Sequence, residues 1–291
     1  MNNKSWPLRW DLLLRYRLIE IIALWEGRLT TNHLCNTFGI GRQQASKDIN
    51  NYLRDIAPGN LELDRHIKGY KPTDAFTPAV TQGIADEYLH LLSRNNELSN
   101  TFESLSLNVA NTEILHVPVR NVKPEVIRTI VKAARQNKRI EVDYVSVHRP
   151  DHNGRIIVPH TLVYTGLRWH VRAWCETRSD FRDFVLSRFR GTPYFEDDLD
   201  TPNPGIEQDN SWNKMITIKI KPDPRLDKGQ RSVIAHDYGM KKNVLSIKTR
   251  GALVHYVLKQ LQIDDKVLQG KPSAQQIVIS NYKEIEPWLF G

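Results

Sequence analysis

The 291-residue chain has only two cysteines, Cys35 and Cys175, which lie far apart in otherwise apolar segments. This spacing does not fit a disulfide framework or a zinc site built on paired cysteines. No apolar run approaches the roughly 20 residues that a membrane-spanning helix needs. The first residues also lack the apolar core of a secretory signal. We therefore expect a cytoplasmic protein with no membrane partner.

Common enzyme motifs are absent too. The sequence has no Gly-rich phosphate loop and no Gly-x-Ser-x-Gly elbow. His148 and His152 are four residues apart, but Pro150 lies between them, so the helical geometry of a zinc site is not expected. The acidic run 197–200 fits a solvated linker better than a magnesium site. We predict a protein without enzyme activity, metal or cofactor, and a metal-dependent nuclease is the enzymatic alternative.

Positive charge is plentiful and unevenly distributed. The chain holds 41 Lys and Arg against 33 Asp and Glu, a net charge of +8. Residues 116–190 alone hold 15 Lys and Arg against 7 Asp and Glu. A basic field of this kind attracts phosphate, whether on nucleic acid or on a small ligand.

Segments rich in proline and glycine divide the chain into several units, and we predict the α+β fold class for the chain as a whole. We predict a winged helix-turn-helix domain over 1–75, a helical linker over 76–122, a ligand-sensing domain over 123–195 and a C-terminal extension over 210–291. The linker is expected to contain helices at 78–93 and 96–107, and Pro124 is expected to start another helix. The acidic stretch 196–204 is predicted to be a linker between the sensing domain and the C-terminal extension.

Period-two alternation predicts the strands of the sensing domain at 140–147, 155–164, 169–175 and 182–190. Several short antiparallel strands in about fifty residues are typical of a small barrel, here of the Sm/SH3 type, or of a strongly curved sheet. In the extension, strands at 215–221, 244–249 and 276–279 alternate with helices at 228–238 and 253–261. That alternation predicts a small α/β domain.

The N-terminal pattern predicts helices at 10–25, 32–38 and 42–56, with Gly39 in the turn before the third. Ala45, Ile49, Leu53 and Ile56 share one face of the third helix, which is expected to be buried. The outward polar side chains suit the major groove and are Arg42, Gln43, Gln44, Ser46, Lys47 and Asn50. A hairpin turning at 65–66 predicts a wing whose DNA-contacting cations are Arg65, Lys68 and Lys71. The alternative is a helical adaptor whose polar face is only solvated.

In the sensing domain, alternate residues of each strand share a face, which would bring aromatic rings among guanidinium groups. Such a pocket suits a nucleotide or a short single-stranded nucleic acid. The predicted ligand-binding residues are Tyr144, Ser146, His160, Trp169, His170, Arg172, Phe184, Arg188 and Arg190. The alternative is a structural salt-bridge cluster in which Asp183 or Glu141 pairs with Arg188 and Arg190.

The same segment resembles the WYL domain of bacterial transcriptional regulators. Trp169-His170-Val171 stands where that family has Trp-Tyr-Leu, and residues 184–190 resemble its later arginine-containing strand. Residues 159–172 look most like the BrxR/CapW type, which accompanies phage-defence systems. The middle residue departs from this pattern, because His170 stands where the family has tyrosine. Any role of that tyrosine would here fall to the imidazole of His170.

The resemblance implies a repressor of a phage-defence-type operon, derepressed by an anionic ligand in the WYL-like domain. Helix-turn-helix proteins gain affinity by pairing two half-sites, so we expect a homodimer on a pseudo-palindromic operator. The linker helices and the C-terminal extension are the expected dimerisation elements. An activator of the same architecture is the alternative, because the sequence does not determine the sign of regulation.

Overall fold

The computed structural model describes residues 9–99, 113, 115, 118, 120–147, 154–196, 202–263 and 271–289, the side chains of 94–99 excepted. The chain divides into two compact units, Met1–His116 and Val117–Gly291. His148, His152 and the acidic run 197–200 lie outside the described residues. Within the described part, no helix is long and apolar enough to cross a membrane. The same residues contain no group of three His, Cys, Asp or Glu that could hold a metal ion.

The first unit contains the predicted helix-turn-helix. Its helices are α1 (Trp10–Glu26), α2 (Thr31–Phe38) and α3 (Arg42–Asn51). The backbone N–H of Thr30 donates to His33 Nδ1 at 3.0 Å, which fixes the start of α2. Gly39 ends α2 at φ +62°, a left-handed conformation that glycine adopts without steric cost. One apolar core joins the three helices and includes Tyr16, Ile19, Ile22, Leu34, Ala45 and Ile49.

Beyond α3 the chain continues as a π turn, Tyr52–Ile56. A π turn holds more residues than an α turn, so the buried face rotates where it begins. Tyr52 is fully buried, whereas Leu53 and Ile56 are only half-buried. The prediction that Leu53 and Ile56 continue the buried face is therefore correct only in part.

The wing is a hairpin of β1 (Leu61–Asp64) and β2 (Gly69–Pro72), which turns through 65–68 as predicted. Leu29, between α1 and α2, pairs with Tyr70 through two backbone hydrogen bonds of 2.8 Å. A Cβ at Gly69 would lie 2.7 Å from the Leu29 carbonyl oxygen. Only glycine allows β2 to approach the helical core this closely.

Glu20 of α1 is fully buried and binds the segment that follows the wing. Its carboxylate accepts three backbone N–H groups at 2.8 to 3.1 Å, those of Ala79, Val80 and Thr81. It also accepts the Tyr52 hydroxyl at 3.0 Å. Because Glu20 satisfies these N–H groups, the segment needs no helical hydrogen bonds there.

The next helix, α4 (Ala85–Ser99), consequently begins seven residues later than the predicted start at Pro78. It passes through 94–95, where a break was expected. The rest of the second predicted linker helix, 100–107, lies outside the described residues.

In the second unit, α5 (Pro124–Gln136) begins at a proline, as predicted, and packs on an antiparallel sheet. The strands are β3 (Ile140–Tyr144), β4 (Gly154–Tyr164), β5 (Trp169–Cys175), β6 (Asp180–Val185) and β7 (Phe189–Phe195). Val126, Ile130 and Ala133 of α5 bury their side chains against the sheet. This is the core of the predicted sensing domain.

The sheet is not the predicted closed barrel. Its strand order is β6-β5-β4-β3-β7, and β6 and β7 form opposite edges without pairing to each other in the described residues. The single strand predicted at 182–190 is also wrong. A 3₁₀ turn, Leu186–Arg188, divides it into β6 and β7, which lie at those two edges.

The five elements predicted in the C-terminal part are present within one residue of their predicted bounds. This part contains α6 (Asn210–Asn213), β8 (Met215–Pro222), α7 (Lys228–Asp237), β9 (Leu245–Arg250), α8 (Val254–Gln260), α9 (Pro272–Gln275), β10 (Ile277–Ile279) and α10 (Tyr282–Ile285). Three of these, the short helices α6, α9 and α10, were not predicted. Its three strands pair in the order β10-β8-β9, all antiparallel. Ile218 and Ile220 of β8 pack with Val254 and Leu258 of α8 in a separate core.

Candidate functional sites

The outward face of α3 carries most of the predicted DNA-contacting side chains. Ala45, Asp48 and Ile49 are buried on its inner face. The exposed residues are Arg42, Gln43, Gln44, Lys47 and Asn50, and Ser46 is half-buried. A polar face of this kind, close to the helix N-terminus, has the donors and acceptors that read base edges.

A buried carboxylate that sequence reasoning missed holds this face in place. Asp48 is 1% exposed and forms an ion pair of 3.0 Å with Arg15 of α1. Gln44 donates to Asp48 at 2.7 Å. This hydrogen bond fixes the orientation of the Gln44 side-chain amide. Its carbonyl oxygen remains able to accept a hydrogen bond from a donor outside the protein. The only sequence signal was an acidic residue on an otherwise basic helix.

The three predicted wing cations differ in their surroundings. Arg65 and Lys68 are exposed at the turn. Lys71, in contrast, forms ion pairs with Glu62 at 3.0 Å and Asp64 at 3.3 Å, both on the same hairpin. Its charge is therefore largely balanced within the wing.

A polar cleft of about 390 Å³ lies where the start of α2, the start of α3 and the wing turn meet. Three cations line it, Arg28, Arg42 and Lys68, together with Thr31 and Asn32 of the first turn of α2. Arg28 is the residue that sequence reasoning missed. It donates to the Ile67 carbonyl oxygen at 2.5 Å and so holds the wing turn against the cleft. Cations beside a helix N-terminus suit a backbone phosphate.

In the second unit the structure does not bring the nine predicted ligand residues together. Tyr144 and Phe184 are core side chains, 5% and 2% exposed, with ring centroids 5.0 Å apart. The Tyr144 hydroxyl accepts the Val185 N–H at 3.1 Å. Both residues pack on the apolar side of the sheet, so they are not available to a ligand and their assignment is corrected here.

His160 and Arg172 bind an aspartate of this chain. Arg172 donates to both oxygens of Asp209, at 2.7 and 3.1 Å, and His160 Nε2 lies 3.2 Å from the same carboxylate. Burial opposes ionisation of Asp209, but these hydrogen bonds outweigh it and hold its pKa below the usual range. Arg172 also contacts Asp183 at 3.3 Å. His160 and Arg172 thus belong to a structural ion cluster, whereas the salt-bridge alternative left open by the sequence concerned Arg188 and Arg190.

The remaining exposed and half-buried predicted residues lie at or beside strand ends. Trp169 is 50% exposed at the start of β5. Arg188 is half-buried on the 3₁₀ turn, and Ser146 is half-buried just after β3. Arg190 is exposed and donates to the Ser187 and Phe189 carbonyl oxygens at 3.0 and 3.1 Å.

A cavity of about 290 Å³, the Trp169 cavity, opens beside the start of β5, and Trp169 is the one predicted ligand residue among its described lining residues. Its lining includes Arg120, Tyr164, Arg168, Trp169 and Ser187. The Tyr164 and Trp169 rings lie 5.0 Å apart, and each is 50% exposed. Sequence reasoning missed Arg120 and Arg168 as lining residues. The available signal was an aromatic residue on each side of the turn 165–168.

His170 is buried directly behind this cavity and is 2% exposed. Burial, together with the positive charges of Arg168, Arg188 and Arg120, lowers the pKa of His170 to about 4. In the described part of the chain none of these three arginines forms an ion pair. Three uncompensated guanidinium groups around a neutral imidazole create a local positive field, which an anion would relieve.

A helix-turn-helix with a cationic wing, followed by a sheet with a cationic and aromatic cavity, defines a winged-helix regulator of the DNA-binding type. Residues 11–94 match the BrxR transcriptional regulator winged helix-turn-helix domain, and residues 125–192 match the WYL domain. Residues 215–285 match the BrxR transcriptional regulator C-terminal dimerization domain. The chain belongs to the BrxR/CapW family of transcriptional regulators.

Curated relatives cover nearly the whole chain and are named DNA-binding transcriptional repressor CapW. The protein from Pseudomonas aeruginosa is 32% identical over 282 residues, which cover 96% of this chain and 92% of the relative. The protein from Escherichia coli (strain KTE188) is 32% identical over 95% of this chain and 91% of its own. The protein from Stenotrophomonas maltophilia is 29% identical over 99% and 95%.

Proposed function

We propose that this protein is a homodimeric, sequence-specific transcriptional repressor that binds a pseudo-palindromic operator through α3 and the wing. The observation that carries the proposal is the exposed polar face of α3 beside the cleft of Arg28, Arg42 and Lys68. The repressor names of the relatives support the sign of regulation, and the match to a dimerization domain supports the homodimer.

DNA binding is tested with Arg42→Ala combined with Lys47→Ala. Each phosphate contact contributes about 0.9 to the slope of log K against log salt. We expect the double variant to lose at least ~10-fold in operator affinity, with a slope smaller by one to two. Lys228→Ala, an exposed lysine at the start of α7, is the matched control. Unchanged affinity and salt slope in the double variant would remove α3 from DNA recognition.

We propose further that an anionic effector, a nucleotide or short single-stranded nucleic acid, binds in the Trp169 cavity and releases the operator. The two exposed rings can stack a base, while the Arg120 and Arg168 guanidinium groups lie beside its phosphate. Stacking on an aromatic side chain contributes about 1–3 kcal/mol per base. Trp169→Ala is therefore expected to weaken effector binding by ~5-fold or more while leaving operator binding unchanged. Equal effector affinity in the variant would contradict this site.

The mechanism that we propose is a population shift between two dimer states. The effector favours a state whose recognition helices no longer match the half-site spacing. The family resemblance points to a phage-defence-type operon as the regulated gene set. A reporter behind the neighbouring promoter tests the sign, because expression should rise when the gene is deleted. A fall in expression would identify an activator.

A further inference from the structure

A second and larger cavity, the α8 cavity, lies on the other side of the turn 165–168. Its volume is about 690 Å³, and it is lined by Thr165, Arg168, His255, Tyr256, Lys259 and Gln260. Leu167 and Arg168 line both this cavity and the Trp169 cavity. One short turn thus separates two concave sites within the second unit.

The turn 165–168, which forms the wall between the two cavities, is held in place by α8. Gln260 of α8 donates to the Thr165 carbonyl oxygen at 3.1 Å, which ties the turn to the helix. Gly166 has φ +79°, and a Cβ there would lie 2.9 Å from the Gln260 amide nitrogen. The left-handed backbone favours glycine at this position, and a side chain there would displace the Gln260 amide that holds the turn.

The α8 cavity has the charge expected of an anion site. Arg168 and Lys259 line it, and there is no Asp or Glu among the lining residues that the structure describes. Neither cation forms an ion pair within the described part of the chain. Two unpaired cations in a concave site concentrate anions there more strongly than on an open surface.

The volumes argue for a ligand larger than one nucleotide. Pockets for small ligands hold roughly 300–1,000 Å³, so the Trp169 cavity is at the lower limit of that range. It offers one stacking platform, whereas the α8 cavity is more than twice as large and offers cations. Arg168 lies where a phosphodiester joining the two sites would pass.

We infer that the α8 cavity is a second subsite of the same effector, which is a single-stranded oligonucleotide of at least two nucleotides. This inference rests on the proposed effector site in the Trp169 cavity. The first base stacks on Trp169, and the next phosphate binds between Arg168 and Lys259. Because α8 lies within residues 215–285, which match a dimerization domain, such a ligand contacts the sensing sheet and that domain together.

The test measures binding of 5′-phosphorylated mono-, di- and tetranucleotides to the full-length protein by calorimetry, in deoxy and ribo forms. We expect the dinucleotide to bind at least ~10-fold more tightly than the mononucleotide, since the second phosphate adds charge-assisted contacts. Lys259→Ala should lose most of this gain and leave mononucleotide affinity as it is. Lys283→Ala, an exposed lysine of α10 in the same domain, is the matched control.

Three results are distinguishable. Equal affinity for mono- and dinucleotide would overturn the second subsite but not the Trp169 site. The same conclusion would follow if Lys259→Ala bound the dinucleotide more tightly than the mononucleotide by the same factor as the unmodified protein. A dinucleotide that binds with no loss in Trp169→Ala overturns the proposed effector site itself. Absence of binding by any oligonucleotide overturns both. The deoxy and ribo arms then identify which backbone the subsites accept.

Discussion

Arg172 lies where the sheet of the second unit meets the start of α6, and two carboxylates balance its charge. Its guanidinium binds Asp209 with two hydrogen bonds and Asp183 with one. The Tyr256 hydroxyl of α8 donates to the other Asp183 oxygen at 3.0 Å. The cluster therefore joins β5 and β6 to two elements of the C-terminal part by side chains that are almost completely buried.

Removal of Arg172 should be strongly destabilising. Arg172→Ala would leave two buried carboxylates without their cation, and breaking a buried pair from one side costs about 3–5 kcal/mol. Urea unfolding monitored by circular dichroism measures the loss. Arg182→Ala is the control, because Arg182 is exposed and pairs with Asp180 at the surface, where a loss below about 1 kcal/mol is expected. A similarly small loss for Arg172→Ala would show that the cluster does not stabilise the fold.

His170 should make stability depend on pH on the acid side of neutrality. Its folded pKa of about 4 lies below the ordinary value of 6.5, so the unfolded chain takes up a proton that the folded chain excludes. Stability is complete above pH 6.5 and is lost as the pH falls toward 4, by up to about 3 kcal/mol. His170→Gln should flatten the free energy of unfolding over this window. The lowered pKa of Asp209 acts only below its ordinary 3.8, so the two effects separate.

At the residue scale, the local sequence pattern predicted which side chains are exposed better than it predicted which side chains contact each other. The polar face of α3 follows from a period of 3.6 residues and was predictable. Asp209 lies 37 residues beyond Arg172, and nothing in the local sequence says that they pair. The strand alternation gave Tyr144 and Phe184 a shared face correctly, but α5 covers that face, and a single strand does not show which side is covered.

At the scale of elements, the wing depends on contacts with the loop before α2. The Leu29–Tyr70 bridge and the Arg28 hydrogen bond to Ile67 connect the hairpin to the helical core. Both contacts come from a four-residue connection between α1 and α2. The position of the wing cations is therefore set by a segment outside the wing itself.

Arg28→Ala should weaken binding to all DNA sequences by a similar factor. Phosphate contacts position a protein without reading bases, so specific and non-specific affinity should fall together, with a salt slope smaller by about one. Filter binding to operator and to unrelated duplex at several salt concentrations measures both. Arg28→Lys keeps the charge but loses the hydrogen bond to the wing turn, so it should recover the slope more than the affinity. A loss confined to the operator would assign Arg28 to base recognition instead.

Most elements were predictable because their signals are local: a capping turn, Gly39, Pro124 and the alternation in the strands. The break at Leu186–Arg188 was not, since its residues continue the alternation of β6 and no glycine or proline marks it. That turn moves β7 across the sheet to pair with β3. Pairing of this kind depends on contacts between distant residues, and it is why a barrel was predicted where the sheet is open.

At the scale of the whole molecule, the proposed function joins two anion sites through a dimer. In this proposal one site binds duplex DNA and the other binds the effector, and each ligand must favour a different state of the same protein. A ligand shifts such an equilibrium only by its difference in affinity for the two states. The coupling between the sites is therefore a measurable free energy, and it must be the same from either side.

Operator DNA and effector should weaken each other by one common factor. If a saturating oligonucleotide reduces operator affinity ~100-fold, a coupling of about 2.7 kcal/mol, then operator-bound protein must bind that oligonucleotide ~100-fold more weakly than free protein. Anisotropy titrations with the label first on the operator and then on the oligonucleotide give the two factors at one salt concentration. Lys259→Ala should reduce both factors together, because the proposed contact with α8 links the effector to the dimerization domain. Two unequal factors would mean that the effector competes for the DNA-binding face or changes the association state, and derepression through two dimer states would then be wrong.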